Sequence, residues 1–276
     1  MRTHYLLAIL ISASAFAAAP ARAQDASVFK GCTVVPLPSV NEAFEQRVVE
    51  LTNDHRASVG LPPLKRVSLL DETARYHAND MRAEDYFDHD TWDLDRVEGN
   101  TYYYKVPCDY SQRIGKHYKG WVTLSENIAQ GQETPEEVVA DWLNSPGHRA
   151  NIEGKDFREI GVGLSVGETQ GCGGTFTTLW WVQNFGARRN VHPLVINREY
   201  AQTDNPQVEI YIYGRWAQMR LRNDDGEWGQ WQPFSNSFTW QLNAVAGLRQ
   251  VCAELRSGSR RETTCDTILL TTGAPG

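Results

Sequence analysis

The chain has 276 residues, 41% of them hydrophobic and 22% charged, and a formal net charge of −7. This composition supports a packed core and excludes a largely disordered chain. The negative charge argues against a protein that binds nucleic acid, because contact with the phosphate backbone needs a basic face. At roughly 150 residues per domain, the length indicates one or two domains.

The N-terminal segment has the pattern of a cleaved export signal. Basic Arg2 precedes an apolar stretch over residues 5–19, and Ala21-Arg22-Ala23 is an A-x-A cleavage pattern. We therefore predict a signal peptide over residues 1–23, followed by an N-terminal lead over residues 24–40. The mature protein is expected to be secreted or periplasmic and to have no transmembrane segment, since no later apolar run is long enough to span a bilayer.

Apolar residues at helical spacing predict two helices in the first third of the chain. The first runs from about Asn41 to Gly60, and Ser39 with Glu42 fits a capping box at its start. The second runs from about Ser68 to Glu84. Residues 90–120 are rich in Tyr, Asp and Gly without a clean period, and we interpret them as a long loop or insertion.

The middle of the chain carries a third helix with a well-defined start. Thr134 is the expected N-cap, Pro135 the first helical residue and Glu137 the third, and the helix is expected to end at Ser145-Pro146-Gly147. Two strands are then predicted, at residues 160–166 and 177–185, with a glycine-rich connection at 171–174.

The period of the apolar residues changes to two beyond about residue 190, which indicates a second domain. Residues 189–193 are interpreted as a linker. Residues 194–276 contain short alternating segments separated by turns such as Asp224-Asp225-Gly226. We therefore predict a small all-β antiparallel sandwich for this part of the chain.

The five cysteines are an odd number, so at least one is free or pairs outside the chain. If Gly258-Ser259 forms a two-residue hairpin turn, Cys252 faces Cys265 closely enough for a disulfide. The sequence does not decide among the remaining three. Of these we adopt Cys32–Cys108 as the pairing, which leaves Cys172 over.

Three polar residues are candidates for a functional site: His89, Glu126 and His148. Their spacing matches no short metal or protease motif, and no H-E-x-x-H sequence occurs. Residue chemistry alone leaves two interpretations open. The three residues are either functional groups or hydrogen-bonded polar side chains that hold loops together.

Five ordered motifs resemble those of the CAP superfamily, which comprises cysteine-rich secretory, antigen 5 and pathogenesis-related proteins. The similarity extends over roughly residues 41–188 and is strongest to the bacterial SCP-like branch. The motifs are Tyr86-Phe87-x-His89, Ser125-Glu126-Asn127-Ile128, the segment from Trp142 to Ile152, Ile160-Gly161-Val162-Gly163 and the segment from Trp181 to Gly186.

The resemblance implies an α+β fold, a CAP-type α-β-α sandwich over residues 41–188 followed by the all-β sandwich. It also implies a central cleft containing His89, Glu126 and His148, with Asn127 beside them. A second glutamate of the eukaryotic branch falls at Ser145, so this chain lacks that carboxylate. A mechanism that needs two carboxylates is therefore in doubt.

The implied cleft is compatible with a divalent metal. His89 and His148 would be the ligands of Zn²⁺ or a similar ion, with Glu126 as a possible third ligand and an open position for water. Neutral imidazoles bind metal, so affinity would fall as the pH drops below about 6.5. The same three side chains are equally compatible with a cluster that holds no metal.

Other candidates have simpler structural explanations. His77 lies on the apolar side of the second helix and is expected in the core, His55 on a solvated helix face, and His117 in the 90–120 segment, where it could overhang the cleft. In the second domain, Trp228, Trp231 and Trp240 either form a sugar-stacking platform or belong to the sandwich core and its edge packing, and the sequence favours packing. This region loosely resembles immunoglobulin-like or fibronectin type III-like modules, and we expect a spacer or adhesion element.

Three functions follow as hypotheses. The first is a secreted binding protein whose cleft holds a small or extended extracellular ligand, such as a lipid or a cell-envelope component. The second is a metal-dependent hydrolase or protease in which Glu126 is the general base. The third is a structural or adhesive protein. The sequence favours binding over catalysis, assigns no catalytic residue firmly, and gives no oligomeric state.

Overall fold

The computed structural model describes residues 29–99, 101–171 and 174–271. The predicted signal peptide and Cys172 lie outside these residues. Among the described residues, no helix combines the length and apolar character that crossing a membrane requires. The helices are α1 (Glu42–Ser58), α2 (Ser68–Glu84), α3 (Tyr110–His117), α4 (Pro135–Asn144) and α5 (Pro146–Ile152).

The first seven strands that the structure describes extend as far as the start of the C-terminal region. They are β1 (Lys65–Arg66), β2 (Thr91–Glu98), β3 (Thr101–Cys108), β4 (Trp121–Gln130), β5 (Glu159–Gly171), β6 (Gly174–Arg188) and β7 (Leu194–Ile196). The later strands are β8 (Gln202–Thr203), β9 (Gln207–Ile212), β10 (Gln218–Asn223), β11 (Gln232–Pro233), β12 (Ser237–Gln241), β13 (Gly247–Ser257) and β14 (Arg260–Leu270).

A four-stranded sheet of order β1-β5-β6-β4 forms the centre of the first part. β5, β6 and β4 are antiparallel neighbours, and the two-residue β1 adds a parallel edge. In β6, Trp181 and Phe185 pack into one core and Trp180 and Val182 into another, as a strand with both faces covered requires. This is the predicted α+β class.

Helices cover both faces of this sheet. On one face, α1, α4 and α5 pack on β5 and β6 through a core that includes Val48, Trp142 and Phe185. On the other face, Ala74 and Met81 of α2 pack on β4 and β6. The result is the predicted α-β-α sandwich, with β4 at its edge.

Two glycines of β5 explain how α2 approaches the sheet so closely. A Cβ atom at Gly161 would overlap the backbone of Leu70 and Asp71, and one at Gly163 would overlap the backbone of Ala74 and Arg75. Glycine at these two positions therefore lets the backbone of α2 pack directly against β5. This contact fixes α2, which supports one side of the candidate site.

The observed start of α1 differs from the prediction, whereas the start and end of α4 agree with it. Asn41, not Ser39, caps α1, since its side chain accepts a hydrogen bond from the Phe44 amide at 3.1 Å. α4 has the predicted capping box of Thr134 and Glu137. α4 ends before Ser145, and Pro146 then begins the short helix α5, which was not predicted.

The segment 90–120 is not a long loop, so this expectation was wrong. β2 and β3 form an antiparallel hairpin, and α3 follows it. Two register shifts in the hairpin disturb the alternation of residues, which explains why the sequence shows no clean period. A disulfide between Cys32 and Cys108 joins the N-terminal lead to the end of β3.

The C-terminal region is all-β. A five-stranded sheet of order β11-β10-β13-β14-β8 faces a three-stranded sheet of order β12-β9-β7, and both contribute to one apolar core. The β13–β14 hairpin turns at Gly258-Ser259 and places Cys252 opposite Cys265, which form a disulfide as predicted. The similarity to immunoglobulin-like modules stays a prediction, as do the domain boundaries.

Polar contacts join the C-terminal region to the first part of the chain. Lys65 of β1 forms ion pairs with Glu199, at 2.9 Å, and with Asp266. The Tyr213 hydroxyl donates to the Pro63 carbonyl at 2.9 Å, and the Tyr200 hydroxyl donates to the Asp54 carboxylate at 2.8 Å. The predicted linker is therefore followed by segments that pack against the first domain.

The glycine contact gives a stability prediction. Gly163→Ala should destabilise the protein by about 1–3 kcal/mol, because the new methyl group overlaps helix backbone that has no room to shift. Gly147→Ala is the matched control: its Cβ meets nothing within 4 Å, and alanine favours the helix α5. Urea unfolding measures both. Equal stability of the two variants would contradict the close approach.

Candidate functional site

The structure brings His89 and Glu126 into direct contact at the edge of the central sheet. His89 lies in the loop between α2 and β2, and Glu126 lies in β4. Their side chains meet with Nδ1 of His89 at 3.1 Å from Oε1 of Glu126. The His89 side chain is 44% exposed, whereas that of Glu126 is fully buried. The pair therefore has a buried anionic end and a solvent-facing imidazole.

The guanidinium of Arg113 binds the second carboxylate oxygen of Glu126. Nη2 of Arg113 donates to Oε2 of Glu126 at 2.6 Å, and both side chains are fully buried. The amide nitrogen of Asn184 lies 3.0 Å from the same oxygen, in the orientation that also lets its carbonyl oxygen accept from the Ala74 amide. Both oxygens of Glu126 are thus engaged.

Arg113 is the central residue that the sequence interpretation missed. Its Nη1 also donates to the His89 carbonyl at 3.0 Å and to the Thr91 hydroxyl at 2.9 Å. The guanidinium of Arg113 therefore positions both the carboxylate of Glu126 and the backbone of His89. In the sequence, Arg113 appears only as an isolated arginine in the helix α3. The side chain of Asp109 caps this helix.

His77 supports the site from beneath and does not act as an exposed group. It is fully buried, and its Nε2 lies 2.9 Å from the carbonyl oxygen of Asp88, the residue before His89. Burial, followed by the charge of Arg113, lowers the pKa of His77 to about 3. His77 is therefore neutral and donates to the loop, as expected for a core histidine.

The charges at the site favour an ionised Glu126 and a protonated His89. Burial opposes ionisation of Glu126, but the charge of Arg113, followed by the hydrogen bond from His89, overcomes this penalty and lowers the pKa of the carboxyl to about 2. The hydrogen bond with Glu126 in turn raises the pKa of His89 above its ordinary value. Near neutral pH the site therefore combines a permanent buried anion with a readily protonated surface imidazole.

His148 lies near this pair on α5. Burial, and then the charge of His89, lowers its pKa, so His148 is neutral at pH 7. Its backbone carbonyl accepts from the Asn127 side chain at 3.2 Å, and Asn151 donates to the Glu126 carbonyl at 3.2 Å. These bonds fasten α5 to the edge strand β4.

Asn127 and Ser145, the other two residues of the predicted cleft, lie on β4 and at the junction of α4 and α5. Asn127 is fully buried on the opposite face of β4 from Glu126, where it donates to Gln183 as well as to α5. Its side chain thus connects β4 to α5 and β6. Ser145 is half-buried at the junction of α4 and α5 and makes no side-chain capping bond.

The two remaining histidines of this region pair elsewhere. His55 of α1 contacts Glu153 at 2.9 Å, and His117 at the end of α3 contacts Glu72 at 2.5 Å. Neither ion pair includes a residue of the His89–Glu126–Arg113 cluster. His117 is therefore attached to α2.

A polar cavity of about 720 Å³ lies in the C-terminal region, lined among others by Arg198, Tyr200 and Glu209. No residue of the His89 cluster lines it. We locate the candidate site by its buried ion pair and its exposed imidazole, because an open polar cavity alone specifies no chemistry.

The donor set does not suit the predicted metal. Among the described residues, no group of three or more His, Cys, Asp or Glu side chains is arranged to hold an ion. Glu126 is engaged by a guanidinium at 2.6 Å, which competes with any cation for the same carboxylate. His89 and His148 alone are fewer than the three protein ligands typical of catalytic zinc.

The buried pair gives a prediction for stability. Arg113→Met leaves the Glu126 carboxylate fully buried without its guanidinium partner, so it should cost about 3–5 kcal/mol. The double variant Arg113→Met/Glu126→Gln removes both charges and should cost clearly less than the two single changes added together. Urea unfolding of the four proteins measures the coupling. Additive costs would contradict the pairing.

Comparisons with known proteins support the same part of the chain. Residues 49–185 match the sequence model of CAP, described as the cysteine-rich secretory protein family. Uncharacterized protein YkwD of Bacillus subtilis (strain 168) is 43% identical over 145 residues, which are 52% of this chain and 49% of that protein. Uncharacterized membrane protein YlbC of the same organism is 28% identical over 125 residues, 45% of this chain and 32% of that protein.

Among solved structures, an extracellular protein containing a SCP domain from Bacillus anthracis str. Ames is 24% identical, with a TM-score of 0.42, covering 56% of this chain and 45% of that one. An outer surface protein from Borrelia burgdorferi is 19% identical, with a TM-score of 0.42, covering 56% of this chain and all of that one. The chain thus spans half or less of the two curated relatives. Residues 49–185 form a CAP domain of the cysteine-rich secretory protein family, with relatives in bacteria.

Proposed function

We propose that this protein is exported and that its CAP domain binds an extracellular ligand, a lipid or another envelope component, at the surface formed by His89 and His148. One observation carries the proposal: an exposed imidazole is held in a fixed orientation by a buried, charge-neutralised carboxylate. Such support is typical of a group that must present one nitrogen to a partner.

The chemistry of the surface favours a ligand with an anionic or hydrogen-bond-accepting head and an apolar part. His89, with its raised pKa, donates a charge-assisted hydrogen bond from its outward nitrogen. Phe87, two residues earlier, is 48% exposed. The Tyr110 ring lies 6.2 Å from the His89 ring, edge to face. Aromatic side chains beside a cationic donor suit an amphipathic molecule.

Hydrolysis has less support at this site. A general base is most effective when its pKa is near the working pH, and Glu126 has a pKa of about 2. Both of its oxygens are also engaged by protein groups. Glu126 therefore serves as a positioning residue for His89, and we derive no step that passes through a metal.

Export is supported by two features besides the N-terminal pattern. The Cys32–Cys108 and Cys252–Cys265 disulfides are stable in an oxidising compartment and rare in a reducing cytosol. We therefore place the protein outside the cytoplasm, in the periplasm or the medium.

Vesicle binding tests the proposal. The protein should bind phosphatidylglycerol vesicles at least about threefold more tightly at about pH 5.5 than at about pH 8, because His89 is protonated below its raised pKa. His89→Ala should lose this pH-dependent part. His55→Ala, which removes a half-buried histidine elsewhere, should keep it. Co-sedimentation of protein with vesicles measures the affinity.

Two controls separate the alternatives. Phosphatidylcholine vesicles test the need for an anionic head, and added chelator tests the need for a metal; we expect weaker binding in the first case and no change in the second. Identical binding by His89→Ala and His55→Ala would contradict the proposed surface and favour a structural role. Loss of binding in chelator would favour the metal-dependent alternative.

A further inference from the structure

The outer face of the five-stranded sheet in the C-terminal region carries four arginines on three adjacent strands. Arg220 and Arg222 lie on β10, Arg256 on β13 and Arg261 on β14. The core residues Met219, Leu221 and Leu255 alternate with the arginines of β10 and β13, so these arginines point away from the core. Arg261 is the cross-strand partner of Arg256 and therefore lies on the same face. The Cys252–Cys265 disulfide lies on the same face and joins β13 to β14.

Two of these arginines form a like-charge pair across the strands. Arg256 and Arg261 are direct cross-strand partners, so two like charges face each other. Such a pair is destabilising in an antiparallel sheet. Glu254 contacts Arg220 at 2.6 Å and Arg261 at 3.2 Å, so one carboxylate serves two of the four cations. This concentration of positive charge occurs in a chain whose net charge is −7.

Two tryptophans lie over the arginines. The Trp231 ring is 3.8 Å from the Arg256 guanidinium and 4.8 Å from that of Arg220, and the Trp228 ring is 4.8 Å from that of Arg222. Both rings are only partly buried and neither belongs to the sandwich core, whereas Trp240 packs on that core. Of these three tryptophans, Trp240 is therefore the one that packs on the core.

We propose that this surface, the Arg–Trp face (Arg220, Arg222, Arg256, Arg261, Trp228 and Trp231), binds an acidic polysaccharide. The planar guanidinium groups match carboxylates in bidentate geometry, and an indole ring packs against the C–H face of a pyranose. The disulfide and the paired strands hold these groups in place before binding, which reduces the entropy lost on binding.

The charge pattern favours a uronate-containing glycan over a nucleic acid. A nucleic acid carries about one charge per 1.7 Å of duplex and needs an extended basic surface. Here the surface has four cations on one small face, and the chain as a whole is acidic. A polymer with a lower charge density than a nucleic acid therefore matches this surface better. The Arg–Trp face is separate from the His89 surface, and the inference does not depend on the proposed lipid or envelope ligand of the CAP domain.

Calorimetric titration with polygalacturonate tests the inference, using the whole protein in about 0.1 M salt. We expect measurable binding that weakens about tenfold or more in Arg256→Gln/Arg261→Gln. This variant should keep its thermal midpoint, because the like-charge pair that it removes offsets the Glu254 ion pair and the Trp231 contact that it also removes. Lys116→Gln/Lys119→Gln, which removes two exposed cations of the first domain, should bind like the unaltered protein.

Two further comparisons complete the test. Neutral dextran should not bind, and Trp228→Ala should weaken binding to polygalacturonate while the Lys116→Gln/Lys119→Gln control does not. The inference is overturned if polygalacturonate does not bind, if the arginine variant binds as well as the lysine control, or if duplex DNA binds as tightly as the glycan. The His89→Ala variant, which tests the CAP-domain surface, should bind the glycan normally.

Discussion

The burial of one carboxylate determines the arrangement of the candidate site. Glu126 lies in an edge strand beneath α2, where an unpaired anion would cost several kcal/mol. Arg113 neutralises it at 2.6 Å and also binds the backbone of His89. The hairpin and α3, which the sequence presented as an irregular insertion, supply that arginine, and the Cys32–Cys108 disulfide fixes the base of the hairpin. The ion pair thus links three separate segments around one imidazole.

The same neutralisation defines the chemistry of the site. A carboxylate with both oxygens engaged and a pKa of about 2 is a poor general base and a poor metal ligand, but it orients His89 well. His77 reinforces this arrangement because it is neutral and donates to the Asp88 carbonyl. The exposed group is then a readily protonated imidazole beside a neutral one on α5. This combination is the reason why we propose ligand binding and not hydrolysis for the site.

The parts that local sequence controls could be predicted, and the parts that long-range contacts control could not. The helix Ser68–Glu84 and the Thr134 cap follow from periodicity and capping, and the Cys252–Cys265 pair follows from the length of one turn. β4 was not predicted because both of its faces are buried, so Glu126 and Asn127 are adjacent buried polar residues with no alternation. Arg113 was missed because its role depends on a contact across an irregular hairpin.

The ionisation of Glu126 tests the central claim most directly. In protein labelled with ¹³C at glutamate carboxyls, the Glu126 signal can be assigned by its loss in Glu126→Gln and followed from about pH 7 to about pH 3. The account predicts that this carboxyl stays ionised throughout, since its pKa is about 2. A midpoint at or above the ordinary value of 4.5 would show that Arg113 does not neutralise it, and would contradict the account.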